Sequence, residues 1–150
     1  MSGLHFSFRS AVIAVCAFVA ISANAADQTV EELKAKLASA NVGDRPHICI
    51  QIAQQQLAES DKFYVAMDVE KAEAALTDVV AFSELARDYA IKSHKYQKQS
   101  EIAVRVMTRK LTDIEHGLSH EDGAVVRRAI DRLQRVRDDL LAAMFPKGSK

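Results

Sequence analysis

The sequence predicts an all-α fold: a four-helix bundle of long antiparallel helices, preceded by one short extra N-terminal helix. Three observations carry that expectation. Neither proline nor glycine, the residues that most reliably end a helix, occurs between Pro46 and Gly117. That stretch is rich in Ala, Glu, Lys, Gln and Leu, which lose least on entering a helix. Apolar or small side chains recur at alternating spacings of three and four, and no stretch sustains the period-two alternation of a half-buried strand.

The first 25 residues read as a separate, removable unit. Arg9 gives a positive start, Ala11 to Ile21 is an unbroken apolar run, and Ala23-Asn24-Ala25 is an A-x-A cleavage signal. The run falls short of the roughly 20 residues needed to span a bilayer. The expectation is a signal peptide over residues 1–25. The mature chain, from Ala26, is then periplasmic or secreted and keeps no integral membrane segment. Cleavage leaves Cys49 as its single cysteine, so no disulfide forms within the chain. Ile48 and Ile50 flank the thiol, which implies burial.

Residues 26–43 are expected to hold a short helix and a linker. Thr29-Val30-Glu31-Glu32 is a capping box, in which the hydroxyl and the third-position carboxylate each satisfy a backbone N–H of the other. The helix offers Val30, Leu33 and Leu37 for burial and stops before the turn sequence Asn41-Val42-Gly43. Residues 44–146 are expected to form the bundle. Its first helix, near 45–66, starts from Asp44 with Pro46 in the first turn, where proline is tolerated. Ile48, Ile50 and Ile52 spread over several faces, which implies contact with more than one neighbour.

From Asp68 onward the spacing is sustained. Val69, Ala72, Leu76, Val79, Ser83, Ala86 and Ala90 lead through Ser93, Gln97 and Ser100 to Val104, Met107, Leu111, Ile114 and Leu118. A 3.5-residue period is the seam of helices packed side by side at small crossing angles. The seam turns polar over Lys92 to Ser100. A single helix through that region would be about 75 Å long at 1.5 Å per residue. A compact core instead requires a bend, giving helices near 68–96 and 99–117. The last helix, near 121–145, follows Gly117 and a second capping box, Ser119-His120-Glu121-Asp122. Val126, Ala129, Leu133, Val136, Leu140 and Ala143 repeat the spacing until Pro146, and residues 147–150 are expected to be a disordered tail.

Two local resemblances add to this reading. Phe63-Tyr64-Val65-Ala66-Met67-Asp68-Val69-Glu70-Lys71-Ala72, followed by Leu76 and Val79, resembles the centre of a tetratricopeptide repeat: an aromatic pair ends one helix and an alanine sits where the second crosses it. The resemblance covers residues 63–79, with Met67 where the repeat prefers glycine and no second copy. It implies a helical hairpin and does not bring the family's peptide-binding groove. Lys110-Leu111-Thr112-Asp113-Ile114-Glu115 is similar to the L-T-x-x-Q motif of small periplasmic helical chaperones, with Glu115 in place of Gln and one copy only. It implies a chaperone-like protein as one alternative.

The chain lacks the nucleophile elbow G-x-S-x-G, the zinc helix H-E-x-x-H, the dinucleotide fingerprint G-x-G-x-x-G, a phosphate loop and C-x-x-C. No catalytic residue and no cofactor is therefore expected. The best metal candidates are His116 and His120, i and i+4, which would share a face on a continuous helix. Gly117 and Ser119 place a turn between them. On the simpler reading His116 closes a helix C-terminus, where a cation suits the dipole, and His120 is a first-turn surface residue. A di-iron bundle needs two E-x-x-H motifs and two more glutamates, whereas the chain offers only Asp113-Ile114-Glu115-His116. A metal- or haem-binding bundle, using Met107, His94 or His116, stands as the second alternative.

Charge excludes less. The mature chain carries 19 Lys+Arg against 20 Asp+Glu, a balance that argues against a nucleic-acid binder. Residues 26–84 hold 5 basic and 11 acidic side chains, and residues 85–150 hold 14 and 9. Opposed halves can attract one another within the fold or between copies. Lys95, Lys98, Arg105 and Arg109 form one basic stripe and Arg128, Arg132 and Arg135 another, both diluted by acids in pairs such as Asp131–Arg135. The function expected from these features is that of an exported, non-enzymatic binding or structural protein of the bacterial cell envelope. It would act through helix faces on a protein partner, or by self-association along a seam left exposed.

Overall fold

The computed structural model describes residues 28–147. The expected signal peptide and the last three residues of the expected tail lie outside them. Within them the chain forms α1 (Val30–Ser39), α2 (Arg45–Val65), α3 (Val69–Ser93), α4 (Gln97–His116) and α5 (His120–Met144), and no strand. Every expected helix is present, and the polar stretch after Lys92 is a bend.

Local chemistry marks most of these boundaries. At α1 both halves of the capping box form, with Thr29 Oγ1 accepting from the Glu32 N–H at 3.2 Å and Glu32 Oε2 accepting from the Thr29 N–H at 3.0 Å. Asp68 caps α3 by accepting from the Lys71 N–H, and Ser119 caps α5 by accepting from the Asp122 N–H. The hydrogen bond from Lys71 holds the Asp68 carboxyl below its usual range. Asp44 makes no such cap bond, because its carboxylate takes the Asn41 amide instead.

The turn between α2 and α3 is closed by its backbone. Met67 adopts the left-handed conformation with φ 61°, its N–H reaches Tyr64 O at 3.1 Å, and the Asp68 N–H reaches Phe63 O at 2.9 Å. This paired closure satisfies orphan carbonyls at a helix end and normally uses glycine, the residue the tetratricopeptide pattern also prefers there. The bend between α3 and α4 is different. His94 and Tyr96 are both left-handed, at φ 55° and 60°, and no comparable backbone closure accompanies them.

Packing builds two hairpins. α2 lies antiparallel to α3, as Gln56–Asp78 and Ser60–Ala72 contacts show, and α4 lies antiparallel to α5 through Glu101–Arg137 and Glu115–Arg127. The hairpins join mainly along α3 and α5, which run parallel: Glu84 meets Arg132 and Arg87 meets Asp139. Lys110 on α4 pairs with Asp61 on α2 at 2.7 Å and closes the other side.

The seam read from the sequence is the core. Ala72, Leu76, Val79, Ser83, Ala86 and Ala90 of α3, Val104, Met107 and Leu111 of α4, and Val126, Leu133, Val136 and Leu140 of α5 are buried together. The expectation that the seam is left exposed for self-association is therefore corrected: the chain covers it internally. α2 does contact more than one neighbour, α1, α3 and α4, as its several apolar faces implied. Ile48 and Ile52 pack on Leu33 of α1 in a satellite cluster, and Cys49, Ile50 and Ala53 belong to the main core. No helix among the described residues is long and apolar enough to cross a membrane.

Candidate functional site

The residues singled out for metal chemistry are not brought together into a cage. His116 is the last residue of α4 and His120 the first of α5; both are exposed, with the Gly117–Ser119 turn between them. His116 adds a basic side chain to the last turn of α4, and the His120 carbonyl accepts from Arg127 Nη2 at 3.0 Å. No group of three His, Cys, Asp or Glu side chains among the described residues is placed to share an ion. His94 and His116 stand at opposite ends of α4, about 30 Å apart at 1.5 Å per residue, too far to ligate one haem iron. Met107 is sealed in the core. Within the D-x-x-H stretch Asp113 and His116 are exposed, and Glu115 accepts from Arg127 at 2.8 Å. That glutamate is also the position where the chaperone-like motif would carry Gln.

His47 and Cys49, two apart at the start of α2, point to different surroundings. His47 is exposed and stacks on Tyr96 with ring centroids 5.5 Å apart. Cys49 is fully buried and free, and burial pushes its thiol up to about 12 despite the opposing pull of Arg45. A neutral, enclosed thiol is a poor nucleophile and a poor metal ligand. The Arg45 guanidinium lies over the Tyr89 ring and donates to its hydroxyl at 3.3 Å, so this cation is structural.

The two basic stripes resolve differently. On α5, Arg132 is held by both oxygens of Glu84, and the expected Asp131–Arg135 pair does not form. Arg135 instead lines a charged crevice with Glu84, Arg87, Asp138 and Asp139. On α4, Lys98 and Arg109 make no ion pair, and Arg105 reaches only the nearly buried Glu101, at 3.4 Å. Between them stand Ile102 and Val106, 39 % and 55 % exposed. At about 100° per residue, positions two before and two after Val104 lie opposite the buried seam, so both residues face away from the core. The sequence contained this signal, since the phase of the seam places 102 and 106 on the outer side.

An open groove of about 870 Å3 lies between the start of α1 and the middle of α2, lined by Thr29, Leu33, Gln51, Gln54, Gln55 and Lys62 among others. Gln55 Nε2 donates to the Gln28 carbonyl at 2.6 Å and ties the chain start to α2. Gln51 Oε1 is buried there without a hydrogen-bond partner. Nothing in the sequence foretold this groove, because it depends on where α1 docks.

No family model, curated protein or solved structure matches the chain.

Proposed function

We propose that the protein is a non-enzymatic binding protein of the bacterial cell envelope, and that the outer face of α4 is its contact surface. The observation that carries this reading is the Ile102–Val106 pair, exposed between Lys98, Arg105 and Arg109 on the side of α4 turned from the core. Apolar side chains beside Lys98 and Arg109, which make no ion pair, and Arg105, which reaches only Glu101, suit a protein partner that presents apolar anchors among carboxylates. The export-type N-terminus and the missing catalytic motifs support the location and the non-enzymatic class. The α5 stripe is less apt, since Arg132 is already engaged by Glu84.

The experiment is site-specific photocrosslinking in the native envelope from positions 102 and 106, with the exposed Thr77 of α3 as control. The expected result is one adduct of defined mass from 102 and from 106, weakened by salt, with the adduct from 102 lost in Val106→Glu, and a partner that mass spectrometry identifies as an acidic protein. An inert monomer in sedimentation, with no adduct above the Thr77 control, overturns the proposal.

A further inference from the structure

We infer that the chain exchanges its α4/α5 hairpin with a second copy of itself. In the exchanged pair, residues 69–116 form one continuous helix, and each copy's α4/α5 packs on the other copy's α2/α3. The inference is independent of what docks on the outer face of α4.

It starts from the phase of the seam. Ala86, Ala90, Ser93, Gln97, Ser100 and Val104 keep the spacing of three and four straight through the bend. A chain built to turn there would be expected to break phase or to place a glycine or proline, and neither occurs. The bend is made instead from His94 and Tyr96, two non-glycine residues in the left-handed conformation. Side chains with a Cβ resist that conformation, and short strained hinges favour exchange between copies.

The start of α4 is equally unmarked. α1, α3 and α5 each begin with a side-chain cap and an acidic residue in the first turn; α2 and α4 have neither, and of these two only α2 has a proline, Pro46, to mark its first turn. The first N–H groups of α4 lack the carbonyls that a continuing helix would place four residues upstream. Ser100 Oγ, one turn into α4, is buried without a hydrogen-bond partner. The turn at Met67 shows the contrast. It has one left-handed residue, two closing backbone hydrogen bonds and the Asp68 cap, so α2 and α3 are specified as separate helices.

Few contacts hold the bend. His47 stacks on Tyr96, the Lys95 side chain lies across Gly43, and the Lys95 N–H donates to Ser93 Oγ at 3.3 Å. His94 and Lys95 are exposed. The contacts joining the hairpins run from α2 and α3 to α4 and α5, with only three residues linking the two halves. All of them re-form between copies when that link straightens. Exchange therefore keeps the core, relieves two strained residues and costs the freedom of the second chain.

The test uses the full mature chain, unfolded and refolded at micromolar and at near-millimolar concentration, with mass measured by light scattering after gel filtration. A dimer whose share rises with refolding concentration and survives dilution is expected. The double variant His94→Gly/Tyr96→Gly accepts the left-handed turn and disfavours the continuous helix, so its dimer-to-monomer ratio falls at least about tenfold. His94→Ala/Tyr96→Ala raises the ratio.

Spin labels at Thr77→Cys and Asp113→Cys, in chains diluted with unlabelled protein, report the geometry. They share one end of the bent bundle and separate to about 54 Å along a straight helix at 1.5 Å per residue. A dimer that keeps the monomer's label distance is a side-by-side pair and overturns the inference. So does a monomer at every concentration in both the parent chain and either hinge variant.

Discussion

The two hairpins solve the same packing problem with different side chains. The inner face of α3 is mostly small: Ala72, Ala75, Ser83, Ala86 and Ala90 are buried around Leu76, Val79 and Val80. Across from it, Ala53 and Ser60 of α2 are equally small and fully buried. α4 and α5 instead fill their shared interior with Val104, Met107, Leu111, Leu133, Val136 and Leu140. Small residues let helix axes approach and leave polar handles within reach, as when Ser60 Oγ donates to the Ala72 carbonyl at 2.9 Å inside the core. Large residues hold the axes apart and bury more apolar area per position. The first hairpin should therefore be intolerant of added volume and the second of lost volume.

Leu133→Ala tests the second half of that statement and carries the largest expected effect. Leu133 is fully buried at the centre of α5. Truncation should cost about 2–5 kcal/mol, the transfer term plus the cavity that neighbours cannot close. Urea unfolding reads the change, and a loss under about 1 kcal/mol would show that the α4/α5 interior collapses freely. Ala86→Leu tests the first half. Its Cβ is fully enclosed, so extra methylenes must displace α2 or α5. A loss of about 1–3 kcal/mol is expected, whereas unchanged stability would mean that the α2/α3 contact is not close.

Legibility divides along a related line. Burial follows the period of a helix, so the seam from Val69 to Leu118 could be read in order, including the small residues. The two capping-box sequences could be read because the participating groups lie within three residues of one another: Thr29 and Ser119 accept where expected, whereas Asp44, the expected start of the second helix, makes no cap bond. The bend was legible as a polar interruption of the seam, and it falls inside that interruption, at His94–Tyr96, although no glycine or proline marks it. Gly117 and Ser119 correctly announced the turn between His116 and His120. The Gln51 groove, the His47–Tyr96 stack and the Glu84–Arg132 pair were illegible for one physical reason. Each joins elements far apart in the chain, and single-sequence periodicity says which face is inward without saying which helix covers it.

Raising the pH should distinguish the hairpins again. Burial pushes the Cys49 thiol up to about 12, and burial followed by Glu73 and Asp122 does the same to the Tyr64 hydroxyl. Both groups sit on α2. In the unfolded chain they ionise near their ordinary values of 9.0 and 10.0. Below those values both states hold the proton and the contribution to stability is complete. Between about pH 9 and 12 the unfolded chain has lost protons that the folded chain retains, so stability falls as pH rises, by at most about 1.4 kcal/mol per unit for each group. Urea midpoints at pH 8, 9.5 and 11 check this, with Cys49→Ala and Tyr64→Phe each flattening its part of the fall. A midpoint constant to pH 11 in the parent chain would mean that thiol and phenol are hydrated in the folded state.

The smallest effect concerns charge. Acids dominate residues 26–84 and bases residues 85–150, and two of the three ion pairs that cross between hairpins, Glu84–Arg132 and Asp61–Lys110, follow that division. The third, Arg87–Asp139, joins two residues of the basic half. The Glu84–Arg132 pair has good two-point geometry, yet half of the Arg132 side chain is in solvent, where water and salt screen the attraction. A double-mutant cycle of Glu84→Ala and Arg132→Ala should return a coupling of about 0.2–1 kcal/mol that shrinks in 0.5 M salt. A larger, salt-insensitive coupling would mean that charge rather than the buried α3/α5 seam sets how the hairpins meet. The expected small value instead makes the division of charge a matter of surface potential, to which Lys98 and Arg109 of α4, in no ion pair, contribute most directly.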